Sequence, residues 1–305
     1  MSATAGAHRV VAVVITYQPD GDCRALLDSL MRQCAGVLVL DNGSDPASVA
    51  SLREACHACG AELIAIPQNI GIAAAQNWGV ERARELGATH VLLSDDDSLP
   101  PDDMVAQLLV PFGRDELIAA VGPLPSEDKP GGDQLVYQDR GWSPKRATAA
   151  ELDTDLLAVP FLIASGCLVS VAALDTVGGM DESLFIDHVD LEWGVRARRA
   201  GYSLYCAPRV GLRHSLGDET VQLPGRDQPV HVHSPVRNYY ILRNTILLIR
   251  RDVLPWRWRV RYTYWAVKYL LFNSLYIDRL PERRRMLVHA IHDGLRGRRG
   301  RFEPR

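Results

Sequence analysis

The chain of 305 residues lacks any long apolar run. No stretch approaches the roughly 20 apolar residues that cross a bilayer as a helix. The first apolar run, residues 10–15, is too short for a secretory signal peptide and leads directly into a turn. The sequence therefore predicts a cytoplasmic protein.

Cysteine is scarce, with six residues in the chain. Without a secretory signal, free thiols are favoured over a disulfide framework. Cys56 and Cys59 have the spacing of a metal-binding or redox pair, but no second pair accompanies them. Two cysteines that pack a helix are the favoured interpretation of this spacing.

The net charge of −3 conceals two regions of opposite sign. Residues 237–305 contain 17 basic and 5 acidic side chains, whereas the residues before them contain 17 basic and 32 acidic ones. A basic C-terminal region on an acidic body predicts a polyanionic partner for that region.

Apolar segments and amphipathic segments alternate along residues 10–121. The apolar segments are rich in β-branched residues, which is typical of strands buried on both faces of a parallel sheet. Strands are predicted over Val10–Thr16, Gly36–Leu40, Ala61–Ile66, His90–Leu93 and Leu117–Val121. Helices are predicted over Asp22–Cys34, Ser48–Cys59, Gly71–Leu86 and Pro101–Leu109. Short connections between such elements predict an open α/β sheet with right-handed crossovers.

This alternation stops after Pro123. Residues 125–148 are rich in Gly, Pro and charge, which predicts a mobile loop. A strand over Phe161–Val169, a helix after a Gly-Gly turn, and a short strand over Leu204–Ala207 are expected next. From Arg237 onward the sequence predicts basic, aromatic helices.

Polar side chains follow three of the predicted strands. They are Thr16 and Tyr17 after the first, Asp41 and Asn42 after the second, and Asp95, Asp96 and Asp97 after the fourth. Ligands of open α/β sheets bind at the carboxyl ends of the strands. Three clusters from distant parts of the chain therefore predict a binding site at this edge of the sheet.

The three adjacent aspartates repel one another and need an offsetting charge. A divalent cation supplies it, and Mg²⁺ typically binds one or two protein carboxylates together with substrate phosphates. In an extended chain Asp95 and Asp97 point to the same side and Asp96 points to the other. A cap for the helix near Pro101, formed by Asp97 or Ser98, is the alternative. A nucleotidyltransferase would also use such carboxylates, but no Gly-rich basic loop follows the first strand.

A second acidic group lies in the segment FIDHVDLEWGVRARRAGY and comprises Asp187, Asp190 and Glu192. One interpretation is an acidic helix N-terminus capped by Asp187 or Asp190. The other is a functional carboxylate, because the segment places one directly after a Gly-Gly turn.

Six motifs stand in the order found in the family 2 inverting glycosyltransferases. They are VVITYQP, VLDNGSD, PQNIGIAAAQNWG, LLSDDDS, GGMDESLFIDHVDLEWGVRARRAGY and HSPVRNYYILRN, between residues 8 and 250. The sequence most resembles the rhamnosyltransferase branch, which uses dTDP-L-rhamnose. The resemblance implies the GT-A nucleotide-diphospho-sugar transferase fold, an α/β fold with a mostly parallel mixed sheet flanked by helices and a C-terminal helical extension.

The resemblance also implies contacts with the substrates. Asp41 would bind the pyrimidine base of the donor, beside Thr16 and Tyr17. Further contacts with the nucleotide, the sugar or the acceptor are implied for Asn42, Asn69, Gly71, Asn77, Asp95, Asp96, Asp187 and Glu192. The middle residue of the aspartate motif is often Gln in rhamnosyltransferases and is Asp96 here.

The implied metal is Mg²⁺ or Mn²⁺, bound by Asp95 and Asp97 of the DxD element and by His214. His231 and His233 are alternatives to His214. Asp190 matches the general base of the family. One base opposite the leaving diphosphate and one metal at that diphosphate suffice for transfer with inversion, without a covalent intermediate.

The expected reaction moves L-rhamnose from dTDP-L-rhamnose to a sugar hydroxyl of a surface polysaccharide or a lipid-linked glycan. A UDP-sugar donor, such as UDP-galactofuranose or a UDP-hexose, is the alternative within the same fold. An inactive protein that binds nucleotide sugars or docks on a membrane is the alternative outside enzymes.

Residues 254–280 interleave aromatic and basic side chains. This composition is typical of an interfacial helix, and an anionic membrane attracts it by about 1 kcal/mol per basic residue. Packing on the catalytic domain or on another subunit of a homo-oligomer is the alternative, and nucleic acid is not favoured as a partner. We expect a catalytic domain over residues 1–235 and a helical region over 236–305, with peripheral attachment to the inner face of the plasma membrane as one role of the second.

Overall fold

The computed structural model of the protein describes residues 8–19, 21–126, 135–213, 219–221, 230–275 and 279–303. Its strands are β1 (Val10–Thr16), β2 (Gly36–Asn42), β3 (Glu62–Ile66), β4 (His90–Asp95), β5 (Ile118–Ser126), β6 (Tyr137–Asp139), β7 (Pro144–Arg146), β8 (Leu157–Ala158), β9 (Cys167–Ser170), β10 (Ser203–Arg213), β11 (Glu219–Val221) and β12 (Val230–Val232). Its α-helices are α1 (Arg24–Gln33), α2 (Pro46–Cys59), α3 (Ile72–Glu85), α4 (Met104–Leu109), α5 (Ala149–Leu152), α6 (Val171–Val177), α7 (Val189–Arg199), α8 (Pro235–Arg250), α9 (Trp256–Leu275) and α10 (Leu280–Leu295).

An eight-stranded mixed sheet, in the order β3-β2-β1-β4-β9-β5-β10-β8, forms the centre of the protein. The first four strands are parallel, and β5 and β10 are parallel to each other. β9 runs antiparallel to both of its neighbours, and β8 is antiparallel to β10. The predicted mixed, mostly parallel sheet flanked by helices is confirmed.

β1 is buried on both faces, as its unbroken apolar sequence predicts. Successive side chains of a strand point to opposite faces. Val11 and Val13 therefore pack in the layer that contains the alanines of α3. Val10 and Val14 pack in the layer with the leucines of α1.

Two predictions between residues 125 and 169 were wrong. Part of the predicted mobile loop is a hairpin, in which Tyr137 pairs with Arg146 and Asp139 with Pro144. The predicted strand over Phe161–Val169 is only the four-residue β9, because the chain turns before it at Gly166, where φ is +73°. The predicted free cysteines are confirmed, since all six are free thiols.

The C-terminal helices pack on the helix that follows the second acidic segment. Trp258 of α9 is buried against Leu191 and Val195 of α7, together with Leu248 of α8. α10 packs beside α8, where Leu287 meets Tyr239. The division into regions 1–235 and 236–305 stays a prediction.

Candidate active site

The polar residues at the ends of three strands meet at one edge of the sheet. Thr16 of β1 stands opposite Asp41 of β2, and Ile15 of β1 stands opposite Asp95 of β4. Directly beyond this edge lies a cleft of about 320 Å³, which we call the strand-end cleft. Its lining includes the exposed Tyr17 and the aspartates Asp96 and Asp97. The clustering predicted from the parallel strands is therefore present.

Two buried oxygen atoms at this edge have no hydrogen-bond partner in the described part of the chain. They are Oγ1 of Thr16 and Oδ1 of Asp41, and both side chains are only 1% exposed. The other carboxylate oxygen of Asp41 accepts hydrogen bonds from the backbone N–H groups of Gly43 and Ser44, at 3.3 and 3.1 Å. Buried polar atoms are nearly always paired, so this pair of oxygens is suited to receive a donor from a ligand.

Asn42 and Asn69 shape the loop between β3 and α3. Oδ1 of Asn42 accepts from the backbone N–H of Ile70, and Oδ1 of Asn69 accepts from the N–H of Gly71, both at 2.9 Å. Gly71 has a φ of +90° and precedes α3. A Cβ atom there would lie 2.6 Å from the carbonyl oxygen of Phe185. Gly71 therefore allows the second acidic segment to approach the sheet edge.

That segment contains three non-glycine residues with positive φ. Phe185, Asp187 and His188 have φ values of 68°, 64° and 64°. Such conformations are costly for residues with a side chain and persist where the surrounding structure enforces them. We call residues 184–188 the strained turn.

α8 holds the strained turn through two buried side chains. Nδ2 of Asn244 lies 2.7 Å from the carbonyl oxygen of Ile186 and 3.0 Å from those of Leu184 and Asp187. Arg243 donates to the carbonyl of Leu184 at 2.8 Å and bonds Oδ1 of Asn244 through its Nε. These bonds supply hydrogen-bond donors to backbone carbonyls of the turn, which lie outside any strand or α-helix that would pair them.

The strained turn brings two carboxylates to a second cleft. Oδ1 of Asp187 accepts from Nε of Arg237 at 3.2 Å, while its Oδ2 is buried and has no partner in the described residues. Oδ1 of Asp190 accepts from the N–H of Leu191 at 2.8 Å. Burial raises the pKa of Asp190 from 3.8 to about 6, and the charges of Asp187 and Asp95 contribute to the increase. Asp95 and Asp190 thus lie close enough to affect each other's charge.

The second cleft, which we call the Asp190 cleft, has a volume of about 490 Å³. One wall comes from the β6–β7 hairpin and the segment after it, where Tyr137 stacks on Phe161 at a ring-centroid distance of 5.3 Å. Another part of the lining comes from α9, through Tyr262 and Trp265. The lining also includes the cations Lys145 and Arg261. Sequence reasoning did not identify Tyr137 or Phe161, because no local pattern sets them apart from core aromatic residues.

Asn77 and Glu192 use their polar atoms within the protein. The amide of Asn77 bonds the backbone of Met180 in both directions and donates to Glu182 at 2.9 Å. Glu192 pairs with Arg196 through two bonds of 2.8 Å. Both residues position the chain around the Gly-Gly turn, and their predicted contacts with substrate stay predictions.

Of the predicted metal ligands, Asp95 ends β4 and Asp97 follows it, both within the described residues. Within the described ranges no group of three or more His, Cys, Asp or Glu side chains is arranged to hold a metal ion. His214 and the side chain of His231 lie outside the described residues. His233 precedes α8, and its carbonyl accepts from Arg283 at 2.6 Å.

Residues 11–178 match the family model described as glycosyl transferase family 2. The chain belongs to this family. This glycosyltransferase is 29% identical over 302 residues to the dTDP-rhamnosyl transferase RfbF of Shigella flexneri, across 94% of this chain and 96% of that protein. It is also 26% identical over 268 residues to the galactofuranosyltransferase GlfT1 of Mycolicibacterium smegmatis, across 82% and 87% of the two chains.

The glycosyltransferase has the GT-A fold. Among solved structures it is similar to the mannosyltransferase PcManGT of Pyrobaculum calidifontis, solved with GDP-Man and Mn²⁺. The TM-score is 0.56 at 18% identity, and the match covers 94% of this chain and 87% of that one. At this identity the likeness concerns the fold alone.

Proposed function

We propose that this glycosyltransferase moves L-rhamnose from dTDP-L-rhamnose to a sugar hydroxyl, with inversion at the anomeric carbon. The observation that carries the proposal is Asp190, a buried carboxylate that lines the Asp190 cleft and whose pKa is raised to about 6 by burial, with a contribution from the charge of Asp95. A base near its working pKa and opposite the leaving group is what inversion needs. The similarity to RfbF, described as a dTDP-rhamnosyl transferase, supports the sugar and the nucleotide.

The pyrimidine of the donor binds at the end of β2. Thymine has an imide N–H, and the buried Oδ1 of Asp41 is a hydrogen-bond acceptor without a partner in the described residues. Pairing them removes the cost of a buried unsatisfied acceptor, which is about 1–3 kcal/mol. Uracil has the same imide group, so this contact selects pyrimidines and leaves the sugar to other residues.

The diphosphate lies at Asp95 and Asp97 with Mg²⁺ or Mn²⁺. Carboxylate oxygens suit both ions, and one or two protein carboxylates suffice when a diphosphate supplies further ligands. PcManGT was solved with Mn²⁺ and a nucleotide sugar, which supports a divalent ion here. When bound, the ion neutralises the charge that develops on the leaving diphosphate.

Asp190 removes the proton of the acceptor hydroxyl. At the same time the oxygen of that hydroxyl attacks the anomeric carbon of the donor sugar. The new glycosidic bond forms as the bond from that carbon to the diphosphate oxygen breaks, and dTDP leaves with the electron pair. The Asp190 cleft holds the acceptor sugar, because the aromatic side chains of Tyr137, Tyr262 and Trp265 line it. Asp187 shares this cleft and is placed to contact an acceptor hydroxyl.

The acceptor in this proposal belongs to a surface polysaccharide or a lipid-linked glycan. A galactofuranosyl or hexosyl transfer from a UDP-sugar is the second candidate, favoured by the similarity to GlfT1. Peripheral attachment to the inner face of the plasma membrane would suit a lipid-linked acceptor.

Donor screening tests the proposal. Thermal unfolding is measured with dTDP-L-rhamnose, UDP-galactofuranose, a UDP-hexose and a GDP-sugar, each with Mn²⁺ or Mg²⁺. A ligand that binds only the native state at 100 times its Kd stabilises it by about 2.7 kcal/mol. We expect the largest shift with dTDP-L-rhamnose and a loss of that difference in EDTA. A larger shift with a UDP-sugar would favour the second candidate.

A further inference from the structure

α9 exposes a continuous apolar stripe. Six side chains recur every three or four residues, so they share one side of the helix. They are Trp256, Val260, Tyr264, Val267, Leu271 and Leu275, and each is between 53% and 62% exposed. The opposite side of α9 is the one that packs on the protein, through Trp258 and Tyr269. The aromatic residues of this segment are therefore divided between an exposed side and a packed side of α9.

Cations lie along one edge of this stripe. Tyr264 contacts both Arg261 and Lys268, whose charges lie 5.2 and 5.5 Å from its ring centroid. Arg257 lies over the rings of Trp256 and of Trp142, an exposed residue of the β6–β7 hairpin. The sequence of α9 contains four basic residues and no acidic one. One edge of the stripe is thus uniformly positive.

Either a second copy of the protein or a membrane surface could cover the stripe. The distribution of charge around it favours the membrane. Two copies that packed their stripes together would gather the cations of both helices at one interface, without acidic partners on the same helix, and such an interface is costly. An anionic bilayer instead accepts apolar side chains below its headgroups and pairs cations with its phosphates. Tryptophan and tyrosine also favour the membrane–water interface.

We propose that α9 docks in the plane of an anionic membrane through this stripe. The stripe runs along the whole of one side of α9, so the docked helix lies along the surface. Within the described ranges no helix is both long and apolar enough to cross a bilayer. At 1.5 Å per residue, α9 extends for about 30 Å and presents the whole stripe at once.

Docking through α9 also positions the Asp190 cleft. Arg261, Tyr262 and Trp265 of the same helix line that cleft. A bilayer under the stripe therefore lies close to this cleft, and the acceptor that the membrane supplies is a glycan carried on a lipid. This last step rests on the proposed function, whereas docking itself does not.

Vesicle co-sedimentation of the full-length protein tests the docking. The vesicles contain phosphatidylcholine alone, or equal parts of phosphatidylcholine and phosphatidylglycerol. The test variant combines Val267→Glu and Leu271→Glu. The matched control combines Val110→Glu and Leu117→Glu. These side chains are 55% and 54% exposed, like Val267 and Leu271 at 53%, but they precede β5 and lie outside α9.

We expect the native protein and the control to bind the vesicles that contain phosphatidylglycerol, and not those of phosphatidylcholine alone. This binding should weaken as the salt concentration rises. The stripe variant should bind at least about tenfold more weakly, because charged side chains are costly to insert below the headgroups. Arg257→Gln with Lys268→Gln should weaken binding by about 25-fold, at about fivefold for each cation. All four proteins should show the same thermal shift with dTDP, which separates a docking failure from a failure of the proposed function.

Three results would overturn the inference. The native protein could ignore anionic vesicles, or the stripe variant could bind them as tightly as the control does. Light scattering could instead show a native dimer that Val267→Glu with Leu271→Glu dissociates, which would make the stripe a subunit interface. If the stripe variant does not fold, the cation pair decides, since those exposed changes leave the core intact.

Discussion

Asp190→Asn should inactivate the enzyme and stabilise it. Asparagine keeps the shape of the side chain and an oxygen that can accept from the N–H of Leu191. It cannot remove a proton, so kcat should fall by a factor of about 10² or more. Donor affinity should stay close to native, because Asp190 faces the Asp190 cleft and not the nucleotide.

The stabilisation follows from the pKa of Asp190, which burial raises from 3.8 to about 6. Because the folded state holds the proton more tightly than the unfolded state, ionised Asp190 lowers stability above pH 6. This cost disappears as the pH falls below the ordinary pKa. At about 1.4 kcal/mol per pKa unit, the substitution should raise the free energy of unfolding of the metal-free protein by about 3 kcal/mol at neutral pH.

Urea unfolding at pH 7.5 and pH 5 measures the gain, which should shrink at the lower pH. Initial rates across the same range should fall in the native enzyme as the pH drops below about 6, where Asp190 is protonated. Asp187→Asn is the control, and it should affect the KM of the acceptor more than kcat. An active Asp190→Asn enzyme beside an inactive Asp187→Asn enzyme would show that the base is the wrong carboxylate. An unchanged stability would refute the argument from burial.

Three further substitutions test the rest of the site. Asp41→Ala should raise the KM of the donor by about tenfold or more, through loss of a charged hydrogen bond to the pyrimidine, and an unchanged donor KM would remove Asp41 from the site. Asp97→Ala should abolish turnover and make dTDP binding independent of Mn²⁺, while the circular dichroism spectrum stays native. Activity of the native enzyme that survives EDTA would contradict the role of a metal. Asn244→Ala should lower the free energy of unfolding by about 2–4 kcal/mol, because the carbonyls of Ile186 and Asp187 lose their donor while that of Leu184 keeps Arg243. Native-like urea unfolding would mean that the strained turn does not depend on this side chain.

The edge where the strands end is the part of the proposed site that sequence predicts best. Parallel strands end at the same edge, so Thr16, Asp41 and Asp95 are brought together by topology alone. The pattern of apolar and polar residues encodes that topology directly, since strands buried on both faces are unbroken apolar runs.

The Asp190 cleft could not be predicted in the same way. Tyr137 and Tyr262 line it from positions far apart in the chain, and no local periodicity links them. The Gly and Pro content around the β6–β7 hairpin predicted a loop, although its strands are paired. For α9, composition predicted an aromatic and basic helix, but which rings face the protein depends on packing against α7 and α8.

The strained turn limits how relatives of this enzyme can be recombined. Asn244 and Arg243 of α8 hold the turn that precedes Asp190, so the proposed base is supported by residues more than 50 positions after it. A chimera that joins this sheet to the C-terminal helices of another family member should lose the geometry of its base even where every catalytic residue is retained. Acceptor preference should be exchanged successfully only when the turn, α7 and α8 are transplanted together as one block.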